Sequence, residues 1–148
     1  MKLEEALKTT IFSSPKHKAV LNILYTAWWV KTMISKELKT AGLTHEQYNV
    51  LRILKGKHPA AMCVKDIGCR MIESNSNVPR IIERLISKKY VDRSTSKLDK
   101  RETAITLTDT GVNVLEVANK KVEDKFNNFI KLSEDNAIEL NRLLENIR

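Results

Sequence analysis

Ahead of two arginines, Arg80 and Arg84, the chain places four short polar residues in a row, Ser74, Asn75, Ser76 and Asn77. Hydroxyl, amide and guanidinium groups hydrogen-bond base edges and phosphate oxygens, and at the start of a helix they reach into a major groove. Further on, Lys97, Asp99, Lys100 and Arg101 gather in one short polar stretch. Cations in such a place suit phosphates and a narrow minor groove. Taken singly, Ser and Asn before a helix are ordinary caps, and a basic loop is ordinarily just solvated. Their succession, in an order that makes mechanical sense, points to nucleic acid.

The elements that must position these residues are legible from period and punctuation. Val20, Ile23, Leu24, Ala27, Val30, Ile34 and Leu38 recur at helical spacing and predict a long helix over 16–40, ended by Gly42. Thr44 with Gln47 forms a capping box for a second helix carrying Tyr48, Leu51 and Leu54, closed by Gly56 and Pro59. A short helix over 64–71 turns Val64, Ile67 and Met71 inward. Pro79 is tolerable only in a first helical turn, which places an N-cap at about Ser76 and a helix running to about Lys89. Its inward residues are Val78, Ile81, Ile82, Leu85 and Ile86.

The period then shortens to that of a strand. Residues 90–94 and 103–107 read as two strands joined by the polar, basic turn 95–102. Thr108 caps a helix over about 109–131 with Leu115, Ala118, Val122, Phe126, Phe129 and Ile130 as its stripe. Ser133 caps the last helix, striped by Ala137, Leu140, Leu144 and Ile147. Two helices joined by a short turn and followed by a hairpin describe a winged helix-turn-helix. The expected fold is mainly α with a small β-hairpin wing, flanked by N- and C-terminal dimerisation helices.

The chain has 148 residues and a net charge of +8, distributed as +6 over residues 1–64, +4 over 65–102 and −2 over 103–148. A basic body attracts nucleic acid, anionic lipid or acidic proteins, and charge alone does not choose among them. No apolar run is long enough to span a membrane and the first residues lack a signal-peptide pattern, so a cytoplasmic protein with no membrane partner is expected.

The run from Leu43-Thr44-His45-Glu46-Gln47-Tyr48-Asn49-Val50-Leu51 to Leu107-Thr108-Asp109-Thr110-Gly111 resembles the multiple-antibiotic-resistance regulator (MarR) family of winged-helix transcriptional regulators. Its most specific element is Asp99-Lys100-Arg101 followed by Ile105-Thr106-Leu107-Thr108 and Gly111, similar to the family's Asp-x-Arg wing and the strand-to-helix Leu-Thr-x-x-Gly. Arg84-Leu85 through Val91-Asp92-Arg93 resembles the exit of the recognition helix. The resemblance implies that Arg101 enters the minor groove, that Asp99 fixes it, and that Ser76, Asn77 and Arg80 face the major groove. It also implies a homodimer joined through both termini. The chain departs from the pattern at Pro79 and at Lys89, where the family often has glycine; a positive φ there would burden a lysine.

The division that follows is 1–42 for an N-terminal helical dimerisation segment, 43–110 for the DNA-binding domain and 111–148 for C-terminal dimerisation helices. Physics supports the dimer independently, because amphipathic stripes at both ends would otherwise leave a large exposed apolar patch. A twofold arrangement sets two recognition helices about one DNA turn apart, and so predicts a palindromic operator.

Other residues invite functional readings. Tyr25, Trp28, Trp29 and Tyr48 cluster in the first two long helices, and adjacent Trp28 and Trp29 cannot both face one core. They are candidate residues for a small aromatic effector, with core or dimer packing as the plainer reading. Cys63 and Cys69 read better as small hydrophobes than as a redox sensor. His17, His45 and His58 share no metal-ligand spacing with each other or with Cys63, so no metal and no cofactor are expected. Enzyme motifs are missing. The expectation is a homodimeric, ligand-responsive repressor of transcription that binds double-stranded DNA at a specific sequence. The alternative is a winged-helix module that binds protein and not DNA.

Overall fold

The computed structural model describes residues 1–73, 77–95 and 103–148. A short helix α1 (Leu3–Leu7) precedes the long α2 (Pro15–Thr40). Ser14 caps α2 by accepting the His17 N–H, and Pro15 occupies the first turn, where its missing donor has no consequence. The helix ends in a Schellman arrangement. Leu43 N–H donates to Leu38 O at 3.0 Å and Gly42 N–H to Lys39 O at 3.1 Å, with Gly42 at φ +70°. Leu38 and Leu43 are both buried at this junction, as the motif's apolar contact requires.

Helix α3 (His45–Lys55) follows at once, and its capping box is reciprocal. Gln47 N–H donates to Thr44 Oγ1 and Thr44 N–H to Gln47 Oε1, each at 3.2 Å. Tyr48, Val50, Leu51 and Leu54 make α3 the centre of the core. A two-residue strand β1 (Met62–Cys63) leads into α4 (Val64–Cys69), and α5 (Val78–Ser87) comes after the turn. Strands β2 (Val91–Thr95) and β3 (Thr103–Leu107) form the antiparallel hairpin, with Val91 opposite Leu107 and Thr95 opposite Thr103. Helices α6 (Asp109–Phe129) and α7 (Glu134–Glu145) complete the chain.

Several boundaries differ from the sequence-based expectation, those around α5 most informatively. Helix α5 is capped at Asn77, one residue beyond Ser76, and stops at Ser87 instead of Lys89. The early stop has a local cause: Tyr90 N–H returns to Leu85 O and Lys89 N–H to Ile86 O, a second Schellman arrangement that holds Lys89 at φ +60°. Tyr90 therefore belongs to the helix exit, and the strand begins at Val91. The sheet also has three strands, in the order β1-β3-β2, where a two-stranded wing was expected. β1 pairs only Met62 with Ile105 and Cys63 with Ala104, too short a segment to show a period.

Strand β3 is consequently central and buried, with Ala104, Ile105 and Leu107 turned into the core. Helix α6 lays Leu115, Ala118 and Val122 against the same core. Lys125–Glu37 at 3.1 Å and Lys121 Nζ to Thr40 Oγ1 at 2.8 Å hold it along α2. No residue of helix α7 is fully buried within the chain.

Candidate nucleic-acid interface

One face of α5 is apolar and faces the core. Val78, Ile81, Ile82 and Leu85 are buried, each contributing about 1.5–3 kcal/mol by leaving water. That burial fixes the rotation of the helix. Arg80, Glu83, Arg84 and Ser87 are left on the outward side, at helical spacing. Arg80 and Arg84 make no ion pair among the described residues, so both guanidinium groups are available to phosphate or base. Glu83 is turned sideways by an ion pair with Arg93 on β2, which ties the recognition helix to the wing.

Pro79 stands at the second position of α5, inside the first turn, and Asn77 occupies the N-cap position. Ser74, Asn75 and Ser76 lie outside the described residues, as do Lys97, Asp99, Lys100 and Arg101. The described part of the hairpin ends at the Thr95–Thr103 pair.

A model of the MarR family matches residues 43–103, the span from the end of α2 to the start of β3. Over that span the chain is similar to the MarR family. It is 26% identical over 110 residues to the HTH-type transcriptional regulator SarZ of Staphylococcus haemolyticus, an alignment covering 74% of this chain and 73% of that one. Its fold is similar to that of MepR of S. aureus in a DNA complex, with a TM-score of 0.75 and 20% identity over 84% of this chain and 92% of that one. It is also similar to the organohalide-sensing regulator RdhR in its 2,4-dichlorophenol-bound form, with a TM-score of 0.79 and 16% identity over 94% of this chain and 87% of that one.

Two lysines make long-range contacts on either side of α5. Lys31 Nζ lies 2.7 and 2.9 Å from the two carboxylate oxygens of Glu73, the last described residue before Asn77. Lys88 Nζ, just past the other end of α5, donates to the Gly42 carbonyl oxygen at 2.6 Å and to Gln47 Oε1 at 3.3 Å. Neither contact was visible in the sequence, because each joins residues more than forty apart. Lys31 also helps hold the Glu46 carboxyl below its usual range; the larger influence is the backbone N–H at the start of α3.

Lys65 and Arg70 on and just after α4 are exposed. The first helix of a helix-turn-helix crosses the DNA backbone, which makes both additional phosphate candidates. Their signal in the sequence was the polar side opposite Val64, Ile67 and Met71.

The four aromatic candidates do not form one group. Trp28 lines a groove along α2 with Lys31, Thr32, Ser35, Lys36 and Lys39. Tyr25 and Trp29 line a separate cavity of about 280 Å³ under α1, with Met1, Leu3, Asn22 and Thr26. Tyr48 is buried, and its hydroxyl donates to Asn119 Oδ1 on α6 at 2.7 Å. Burial also pushes its phenol pKa up. Neither tryptophan enters the core of the chain, since Trp28 is 59% exposed and Trp29 39%.

Cys63 acts as the cap of α4, its Sγ accepting the Asp66 N–H at 3.4 Å, and Cys69 is exposed at the end of that helix; both are free thiols. His17 Nδ1 accepts the Ser13 N–H. No cluster of His, Cys, Asp and Glu suited to a metal occurs among the described residues.

Proposed function

We propose that the chain is a homodimeric, sequence-specific regulator of transcription that binds double-stranded DNA in the cytoplasm, without catalytic activity. The observation that carries this reading is the outward Arg80–Arg84 face of α5, locked in rotation by four buried residues and set beside the hairpin. Ser74, Asn75, Ser76, Asn77, Arg80 and Arg84 serve as the major-groove set. Lys97, Asp99, Lys100 and Arg101 serve as the wing set. MepR, a fold relative, has been solved on DNA, which supports the same use of the fold here.

The assignment of 1–42 and 111–148 to dimerisation draws support from the exposed apolar residues at both ends of the chain. Leu24 on α2 and Ile138 on α7 are each 62% exposed, and Val20, Leu140, Leu143 and Ile147 are exposed with them. A second copy that covers these stripes removes the patch and presents two α5 helices to a palindromic site. A bound effector then biases the spacing of the two heads, a shift between binding-competent and incompetent dimers that would make the protein a ligand-responsive repressor. RdhR, solved with a dichlorophenol, supports a small aromatic effector.

The test is a titration of the full chain onto a duplex selected from a random-sequence pool, at two salt concentrations. Six phosphate contacts would weaken binding on the order of 10³-fold between about 50 and about 200 mM salt. Absent or salt-insensitive binding overturns the reading and leaves the protein-interaction module in its place.

A further inference from the structure

Glu83 is the one carboxylate of α5, and it stands on the outward side with Arg80 and Arg84. Side chains on a helix meet at spacings of three and four. For Glu83 those neighbours are Pro79, Arg80, Ile86 and Ser87, so Arg80 is the cation of its own helix that it can engage. Such a pair would neutralise a guanidinium in the first turns of the helix, where base edges are read. The chain adopts a different pairing. Glu83 is joined to Arg93 on β2, and Arg80 has no carboxylate partner among the described residues.

The fold places Arg93 for this contact. It follows Val91 by two positions and so shares its face of β2. Val91 is fully buried, and Arg93 is exposed beyond it, opposite Ile105 on β3. The corner between α5 and β2 is closed by Tyr90 N–H to Leu85 O at 3.0 Å and by Lys89 N–H to Ile86 O at 2.8 Å. Glu83 and Arg93 therefore face each other across one hydrogen-bonded turn.

We propose that Arg93 is a positioning residue for DNA binding: it draws the Glu83 carboxylate toward the wing and so keeps Arg80 free for DNA. This role rests on the reading of the chain as a DNA-binding protein, and Arg93 itself touches no DNA in it. An exposed ion pair adds little to stability. Here its effect is selective, because one carboxylate has two cations within reach. The pair within α5 is the weaker choice, since a cation N-terminal to its carboxylate runs against the helix dipole. Without Arg93 that choice is the one left, and any unpaired Glu83 would face the phosphates of an approaching duplex with like charge.

The test is a double-mutant cycle on a duplex selected by the wild-type chain, using Arg93→Gln, Glu83→Gln and the two together. Arg93→Gln should weaken binding roughly two- to fivefold, and Arg93→Lys should retain most of the affinity. Glu83→Gln should recover the loss in the Arg93→Gln background and change the wild type less. A direct phosphate contact gives another pattern: Arg93→Gln would lower the salt slope by about one, and Glu83→Gln would not restore it. That pattern, or additive effects of the two substitutions, overturns the proposal. The Arg80 Nε–H resonance of isotope-labelled, DNA-free protein reads the same exchange of partners. It should shift in Arg93→Gln and return in the double variant. An unmoved resonance with intact DNA binding overturns the proposal alone, whereas a wild type that binds no duplex overturns the DNA-binding reading and this role with it.

Discussion

The Lys88 ammonium donates to the Gly42 carbonyl oxygen at 2.6 Å, so the exit of the recognition helix is fastened to the bend between α2 and α3. Gly42 follows the last turn of α2, where carbonyl groups lack helical partners and a cation is favoured. Lys88→Met keeps the apolar stem and removes the donor. The expected loss is about 1 kcal/mol of stability, read as a lower urea midpoint with an unchanged slope. An unchanged midpoint would show that water replaces the ammonium without penalty.

The next residue, Lys89, sits at φ +60°. A side chain in the left-handed region is strained, and glycine is not. Lys89→Gly should therefore stabilise the protein by about 0.5–1 kcal/mol in the same assay, after the extra freedom of the unfolded chain is counted. Lys89→Val should destabilise it by at least as much, because a β-branched residue tolerates this conformation poorly. A loss of stability in the glycine variant would contradict this account of the turn.

Gly111 answers a different demand. A Cβ there would overlap the Tyr90 carbonyl oxygen and stand 2.9 Å from Leu107 Cδ1. The same Tyr90 oxygen accepts the Thr108 N–H at 3.2 Å, while Thr108 Oγ1 donates to Lys89 O at 2.8 Å and accepts the Gly111 N–H at 3.0 Å. Helix α6 thus starts in contact with the exit of α5, and Gly111→Ala must push the two apart. We expect a loss of about 3 kcal/mol, and with it a weakened attachment of the hairpin to α6. Thermal unfolding by circular dichroism measures it, and a variant within about 0.5 kcal/mol of wild type would mean the junction yields freely.

Tyr48 gives a pH signature. Burial raises its phenol pKa above the ordinary value of 10.0, so the folded state favours the neutral hydroxyl that donates to Asn119. The unfolded chain ionises first as pH climbs. The contribution is fully present below pH 10.0 and is lost as pH rises from there through the raised value. Tyr48→Phe should reduce this alkaline loss and, near neutrality, cost about 1 kcal/mol from the orphaned Asn119 oxygen. Parallel alkaline unfolding curves for the two proteins would count against the burial of an un-ionised phenol.

Much of the architecture was legible because it is written in local chemistry. The Thr44–Gln47 box, the Ser133 and Thr108 caps and the glycine end of α2 each concern residues within a few positions of one another. Amphipathic spacing likewise named Val78, Ile81, Ile82 and Leu85 as inward, which in turn set Arg80 and Arg84 outward. The positive φ at Lys89 was foreseeable from the departure at a position where related chains often carry glycine. The MarR-family resemblance rested on short motifs of the same kind, and the family match covers the segment that contains most of them.

What the chain could not announce is everything that joins distant residues. β1 has two residues and exists only because β3 is there to pair with it. Lys31 and Lys88 look like any solvated lysine until Glu73 and Gly42 are brought to them. Tyr25, Trp28, Trp29 and Tyr48 read as one aromatic group in sequence, yet packing assigns them to a cavity, a groove and the core. By itself the sequence determined the long helices, the two strands of the hairpin and the buried faces of α3 and α5, since short-range hydrogen bonds and side-chain period suffice for those. The tertiary structure alone decided which partners Lys31 and Lys88 meet, because the energy of a charged contact depends on a distance that only folding sets.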